Sequence, residues 1–388
     1  MFRKMPFILV VVILAIVFLD QFIPLLLKQF LYSLSLSIKN LIVFILPVII
    51  FGLLFKASVN LASRATSIIA LILIGVCCSN FLSTFISHYV GMSVYNFDLS
   101  IILPHDTRSL KVLWELSLPR LIANDKAMFF GLALGIILAK IKPQIAIIWV
   151  NKLGFIVDKM LMLVALVIPI FVTGFVFKLQ YDGVISLIIR DYTLIFGIVA
   201  LAQYSYIFLA YLLLAKGRIS SFIYYLKNML PAAIAGFSTM SSAASMPLTI
   251  IGTENNLKNK DLAKSAIPAT VNVHLVGDCF AIPIFAYAVL KNYGMAEPSF
   301  VTYLVFSFYF ILAKFSVAAI PGGGIIVMLP ILENYLGFNA EMMSLITALY
   351  ILFDPVITSA NVLGNGAFAK LLDRILEYPF LKKELPSL

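Results

Sequence analysis

The chain holds 388 residues, 62% of them hydrophobic and only 12% charged. Soluble domains lie closer to half apolar and a quarter charged, and a water-soluble core of this size cannot bury so much apolar surface, which excludes a soluble enzyme, a secreted disulfide scaffold and a disordered protein. The net charge of +10 sits mainly in short segments between apolar runs, as the positive-inside rule expects, without the basic and aromatic interleaving of a nucleic-acid surface.

Apolar runs of about 20 residues, enough to cross a bilayer, fall at roughly 6–27, 40–62, 66–95, 127–149, 155–177 and 183–215. The first follows Met1-Phe2-Arg3-Lys4 and continues past Asp20 with no small-residue cleavage signal, so it reads as a spanning helix. A polar stretch at 96–126, carrying Asp98, His105, Asp106, Arg108, Lys111, Glu115 and Arg120, separates the third run from the fourth. The runs are too long, and alternate too little, for barrel strands. Cys77, Cys78 and Cys279 lie inside apolar stretches without metal-ligand spacing and read as small buried hydrophobes. His88 and His105 are placed near an interface or in the outer loop, and Lys56 is expected to snorkel.

The second half is organised differently. Residues 222–252 are apolar but interrupted by Gly236-Phe237-Ser238-Thr239-Met240-Ser241-Ser242-Ala243-Ala244-Ser245-Met246-Pro247. Lys216, Arg218 and Lys227 precede this segment and Lys258, Lys260 and Lys264 follow it, so both ends favour the cytoplasm and the segment is re-entrant. A second interrupted segment, 302–334, carries Ile320-Pro321-Gly322-Gly323-Gly324 at its centre, where a helix cannot be sustained. Each is followed by an interrupted span: 261–290, broken around Pro268 to Asp278, and 340–372, broken around Asp354 to Gly366. The predicted fold is an all-α polytopic membrane protein of eight transmembrane helices plus two re-entrant helical hairpins in inverted repeats. Non-helical backbone at membrane depth survives only inside protein or along a cavity, and paired interruptions in inverted halves point to a midplane substrate site in a secondary transporter.

Three motifs carry a family resemblance. Phe237 to Pro247 resembles the first-hairpin F-x-T-x-S-S-x-x-T-L-P of the dicarboxylate/amino acid:cation symporter family, the glutamate-transporter superfamily. Ile320-Pro321-Gly322-Gly323-Gly324 is similar to its V-P-G-x-G, and Asp354 to Asn365 resembles the last-helix D-x2-R-T-x2-N-V-x-G-D. The resemblance implies a homotrimer in a bacterial inner membrane, both termini cytoplasmic, with an elevator mechanism. It implies a scaffold part at about 1–65 and 127–180 and a moving transport part at about 66–95 and 183–375.

Physically, a zwitterion at the midplane needs donors for its carboxylate and an acceptor for its ammonium. Half-helix ends at the hairpin tips favour an anion, which suits Ser241, Ser242 and the backbone of Ile320, Pro321, Gly322 and Gly324, with Asn361 adding an amide. Asp354 is an isolated carboxylate in an apolar span, a placement that costs about 2.5–3.5 kcal/mol on insertion scales. The resemblance makes it the receiver of the substrate amino group, with Thr358 beside it; the plainer reading is an acid neutralised or wetted near a helix end.

The departures from the family pattern carry the most information. Acidic-substrate members have an arginine three positions after the aspartate, where this chain has Ile357. A hydrocarbon cannot pair a second carboxylate, so among the amino acids, dicarboxylates and related organic acids that the resemblance implies, the expected substrate is a neutral, apolar amino acid. The seventh-helix N-M-D-G-T motif corresponds to Asn272-Val273-His274-Leu275-Val276, the last-helix sodium-binding aspartate to Asn365, and a small residue of the second hairpin to Lys314. Cys77, Cys78 and Ser79 stand where the family has Tyr and Thr oxygens.

Sodium coupling is therefore expected to be lost or reduced, with a proton as the replacement ion and no cofactor. Lys314 either supplies a tethered cation or snorkels to the outer interface. His274 and Asp278 are candidates for carrying a proton, or a hydrogen-bonded core histidine and its structural partner. Asn272, Asn361 and Asn365 complete the candidate coupling set. Partners are a small-molecule substrate and membrane lipid. A sodium-independent exchanger is one alternative and an ion-conducting or solute-sensing membrane protein another. An intramembrane hydrolase built on Ser241, Ser242 and His274 lacks any nucleophile motif.

Overall fold

The computed structural model describes residues 11, 15, 16, 18–63, 67–97, 110–119, 122, 124–183, 192–317 and 322–377. Residues 6–10, 12–14 and 17 of the first predicted span, residues 98–109 of the polar stretch including His105, the start of the sixth span, and Ile320 and Pro321 lie outside them. Among the described residues there is no strand. Twelve helices follow in order: α1 Leu25–Ser63, α2 Ser67–Tyr95, α3 Asn124–Ile141, α4 Pro143–Tyr181, α5 Thr193–Leu214, α6 Ile219–Thr239, α7 Ser242–Glu254, α8 Lys260–Thr270, α9 Val276–Asn292, α10 Phe300–Lys314, α11 Gly323–Leu336 and α12 Ala340–Leu376. By length and composition three stretches suffice to cross a membrane: Leu71–Tyr95, Thr193–Leu214 and Ala340–Leu376.

Helix α1 runs 39 residues without a break, so its polar beginning is helical and not a loop between spans. Its hydroxyls are used: Ser33 and Ser37 bond carbonyls one turn back, Ser35 donates to the Ile170 carbonyl, and Ser37 accepts from the Trp114 indole. The break expected at 150–154 lies at Lys142 instead. Pro143 opens α4 and disfavours helical backbone at the residue before it, and Lys142 accordingly sits at φ −140°, ψ 73°. Gly154 does not interrupt α4.

Glycines bring α1, α3 and α4 close, as small residues do between membrane helices. A Cβ at Gly131 would stand 2.7 Å from the Phe51 carbonyl oxygen, and one at Gly135 would stand 2.8 Å from that of Phe55. These three helices pack densely on one another, while α2 and α5 to α12 assemble around α9 and α12; packing between the two groups is sparse.

Both predicted hairpins are helix–turn–helix units. In the first, α6 ends at Thr239, Met240 adopts left-handed backbone (φ 48°), and Ser241 caps α7 by accepting from the Ala244 amide. Pro247 lies inside α7, so the turn is two residues and not the whole polar motif. Asn228 and Asn256 bond across the base at 2.8 Å, and Asn256 also reaches the Tyr225 carbonyl. In the second, α10 and α11 pack together with Tyr309 and Tyr335 stacked at 4.3 Å. Gly322, at φ 72°, starts α11 in a conformation that a side chain would strain.

The span at 261–290 is broken between α8 and α9, at residues 271–275. The last span is not: α12 continues through Asp354, Pro355, Gly364 and Gly366, against the expectation of a break. Its glycines serve close approach. A Cβ at Gly366 would meet the Tyr211 hydroxyl at 2.6 Å, and one at Gly364 would press on Val276. Burial along nearly the whole helix outweighs the weak propensity of its Gly, Asn and Pro.

Gly131→Leu and Gly135→Leu are expected to lower stability by about 1–3 kcal/mol or more, read as a drop in thermal midpoint of the purified protein. Gly154→Leu, where a Cβ meets nothing within 4 Å, should leave the midpoint within experimental error.

Candidate functional site

Helix α12 carries one polar stripe at helical spacing: Tyr350, Asp354, Thr358, Asn361 and Asn365. It faces the two hairpins and the break between α8 and α9. A common cavity is lined by Met240 and Ser242 of the first hairpin, Val317 and Gly324 of the second, Leu275 and Asp278 at the start of α9, and Tyr350, Asp354, Thr358 and Asn361 of α12.

The two carboxylates on this wall are held differently. Asp354, 3% exposed, accepts from the Gly322 backbone amide at 2.9 Å and from the Thr358 hydroxyl at 2.9 Å. Its partners are neutral. Asp278, 1% exposed, accepts from the Lys314 ammonium at 3.0 Å on Oδ2, and on Oδ1 from the Tyr350 hydroxyl at 3.1 Å and the Asn361 amide at 3.2 Å. Lys314 is fully buried, with its ammonium 4.3 Å from the centre of the Phe310 ring. It does not snorkel to an interface. Breaking a buried pair of this kind costs about 3–5 kcal/mol because the remaining charge is stranded.

Asn361 links this cluster to the break. Its Oδ1 accepts from the Gly277 amide at 2.8 Å, and its carbonyl accepts from the Asn365 side chain at 2.9 Å. Asn365 Nδ2 also reaches the His274 carbonyl at 3.3 Å. His274, 1% exposed, shares a 2.8 Å hydrogen bond between Nε2 and Ser79 Oγ, and its ring stacks on Phe368. Among the described residues, no hydrogen-bond partner of ordinary geometry meets His274 Nδ1 or Asn365 Oδ1.

The structure thus gathers Ser242, Gly322, Gly324, Asp278, Asp354, Thr358 and Asn361 around one cavity, with Lys314 reached through Asp278. His274 and Asn365 form a second cluster with Ser79. Asp278 does not pair with His274; the break turns the two residues toward different neighbours. Ser241 spends its hydroxyl as a helix cap, Asn272 is exposed on the unwound segment, and Ile357 is fully buried in the core. His88 is 3% exposed and lies inside α2, its Nδ1 2.6 Å from the Tyr287 hydroxyl.

Two residues escaped the sequence reading. Tyr350 lies one turn before Asp354 on the polar stripe, a spacing that would have flagged it. Asn80 lies in an apolar span among Ser79, Ser83, Thr84 and Ser87, a second polar stripe at helical spacing. It donates to the Val273 carbonyl at 2.7 Å and accepts from the Leu275 amide at 3.2 Å. Those are the backbone groups freed by the break, and bilayer depth offers them no water.

A bound sodium ion, which the resemblance implies, does not fit at Asp278 or beside His274. A buried cation needs negative charge and oxygens with free lone pairs. Asp278 already carries an ammonium and two further donors, whereas Asp354 has only two neutral donors. The cluster around His274 and Asn365 has no carboxylate among its described members.

Comparison with known proteins places these features. Residues 5–375 match the sodium:dicarboxylate symporter family. An "Excitatory amino acid transporter" of Onchocerca volvulus is 27% identical over 164 residues, 42% of this chain and 32% of the relative. "Excitatory amino acid transporter 1" of Ambystoma tigrinum is 25% identical over 207 residues, 53% and 37% of the two chains. Its human namesake is 24% identical over 217 residues, 55% and 39%. The matched part of this chain spans about a third of the length of these curated relatives.

Asn80→Leu, close in volume but unable to hydrogen-bond, strands the Val273 carbonyl and the Leu275 amide. At about 1–3 kcal/mol for each orphaned group, thermal unfolding should show a loss of about 2–5 kcal/mol.

Proposed function

The chain belongs to the sodium:dicarboxylate symporter family, and on that premise we propose that it is a membrane transporter that moves a neutral, apolar amino acid without using sodium. One observation carries the substrate class. The described cavity wall holds two carboxylates and no cationic side chain, the nearest ammonium, on Lys314, being committed to Asp278. A dicarboxylate would bring a second negative charge to a wall already negative. A zwitterion suits it: its ammonium goes to Asp354, whose partners are neutral donors that an ammonium outcompetes. Its carboxylate goes to the freed Gly322 amide and the other N–H groups at the start of α11, where the helix end favours an anion. Ser242 and Thr358 add hydroxyls, and Asn361 holds the first turn of α9 in place through Gly277.

In this reading α1, α3 and α4 belong to a scaffold and α2 with α5 to α12 to a transport part that moves against it. The sparse packing between the two groups supports that division, as does a midplane site built from two hairpins and a broken helix. Eight spans, a homotrimer, an elevator motion and a bacterial inner membrane with both termini inside complete the proposal. The lysines and arginine flanking the first hairpin support its cytoplasmic entry. With sodium unsuited at Asp278 and beside His274, the driving ion is a proton or another cation, or the protein exchanges one amino acid for another with no ion.

Purified protein in proteoliposomes should take up labelled neutral amino acids in response to a proton gradient or a preloaded counter-substrate, and be indifferent to sodium. High-affinity uptake of glutamate or aspartate would overturn the substrate class, and strict sodium dependence the coupling. Asp354→Asn is expected to weaken apparent affinity about 100-fold or more, the scale of losing one desolvated charge pair.

A further inference from the structure

We infer that the ammonium of Lys314 is the permanent occupant of the cation position beside Asp278, so that α10 and α11 both pack on this carboxylate without any free cation. The geometry makes this a position any small cation would seek. Lys314 ends α10 and Asp278 lies in the first turn of α9, so each charge sits at the helix end whose dipole favours it. Both side chains are sealed from solvent, 0% and 1% exposed, at 3.0 Å.

Both arms of the second hairpin meet on this one carboxylate. The α10 arm brings Lys314 to Oδ2. On the α11 arm, a Cβ at Gly324 would stand 2.5 Å from the same oxygen, so the glycine lets the arm lie directly against it. Tyr350 and Asn361 take the other oxygen from α12. The packing of both arms and the neutralisation of Asp278 therefore share one contact, and the neutralising charge belongs to the chain itself.

For the substrate cycle the inference rests on the transporter reading, but occupancy of the position is tested without substrate. The full-length protein is purified in detergent, and thermal unfolding is followed in choline chloride and then, at constant ionic strength, in sodium, lithium or methylammonium chloride. The wild-type midpoint should be the same in all four salts. Lys314→Ala should unfold earlier in choline and recover by about 5 °C in at least one small cation that fits the vacated place. That recovery should vanish in Lys314→Ala/Asp278→Asn.

A Lys314→Ala midpoint indifferent to every cation overturns the inference. If Lys314→Ala cannot be purified folded, the pair Lys314→Gln/Asp278→Asn decides. A sodium-dependent rise in wild type that disappears in this neutral pair overturns the inference, and its absence from wild type upholds it. Adding a mixture of neutral amino acids to wild type in the same series separates the two claims. No stabilisation by amino acids would count against the transporter reading while leaving the occupancy result standing.

Discussion

A carboxylate stays in an apolar bundle only if charge and donors hold it there, and the arrangement around Asp278 follows from that constraint. One side chain draws an ammonium from α10, a hydroxyl and an amide from α12, and the close approach of α11. These are the elements that surround the cavity. Asp354, one turn beyond Tyr350, is held only by a backbone amide and a hydroxyl. The pair therefore differs in environment: one acid is neutralised by an ammonium of the fold, and the other is held by neutral donors alone.

The same rule governs the backbone. Interruptions inside the bundle expose amides and carbonyls where no water can serve them, and among the described residues several have a dedicated polar side chain. Asn80 serves the break before α9, Ser241 caps α7, and Asn228 and Asn256 close the base of the first hairpin. At the entry to α8, Asp373 accepts from the amides of Lys258 and Asn259 while pairing with Lys370, both side chains nearly buried.

Much of this was legible in the residues. Hydroxyls, glycines and prolines in the middle of apolar runs marked places where helices end, at Thr239 and before Gly323, because such residues have no use on a lipid-facing helix. Asp354 and Lys314 stood out as charges in apolar surroundings. The polar residues of α12, by contrast, looked like a broken helix. Gly364 and Gly366 carry the same letters whether they release the backbone or admit Val276 and the Tyr211 hydroxyl, and only the neighbours distinguish the two. Tyr350 and Asn80 went unnoticed since neither type is unusual in an apolar span.

Composition alone determined that the natural solvent is a bilayer, since 62% hydrophobic residues cannot be hidden from water in a chain of this length. Local pattern determined some helix ends, at Pro143, Ser241 and Gly322, because Pro, Gly and capping residues act through the backbone of their immediate neighbours; Pro247, Pro355, Gly364 and Gly366 lie inside helices. Which charges meet was decided only by tertiary structure. Asp278 and Lys314 are far apart in sequence and Asp278 and His274 close, yet the first pair bonds and the second does not. A break in the helix redirects side chains that sequence distance would join, and the folding back of a hairpin delivers a charge from another arm.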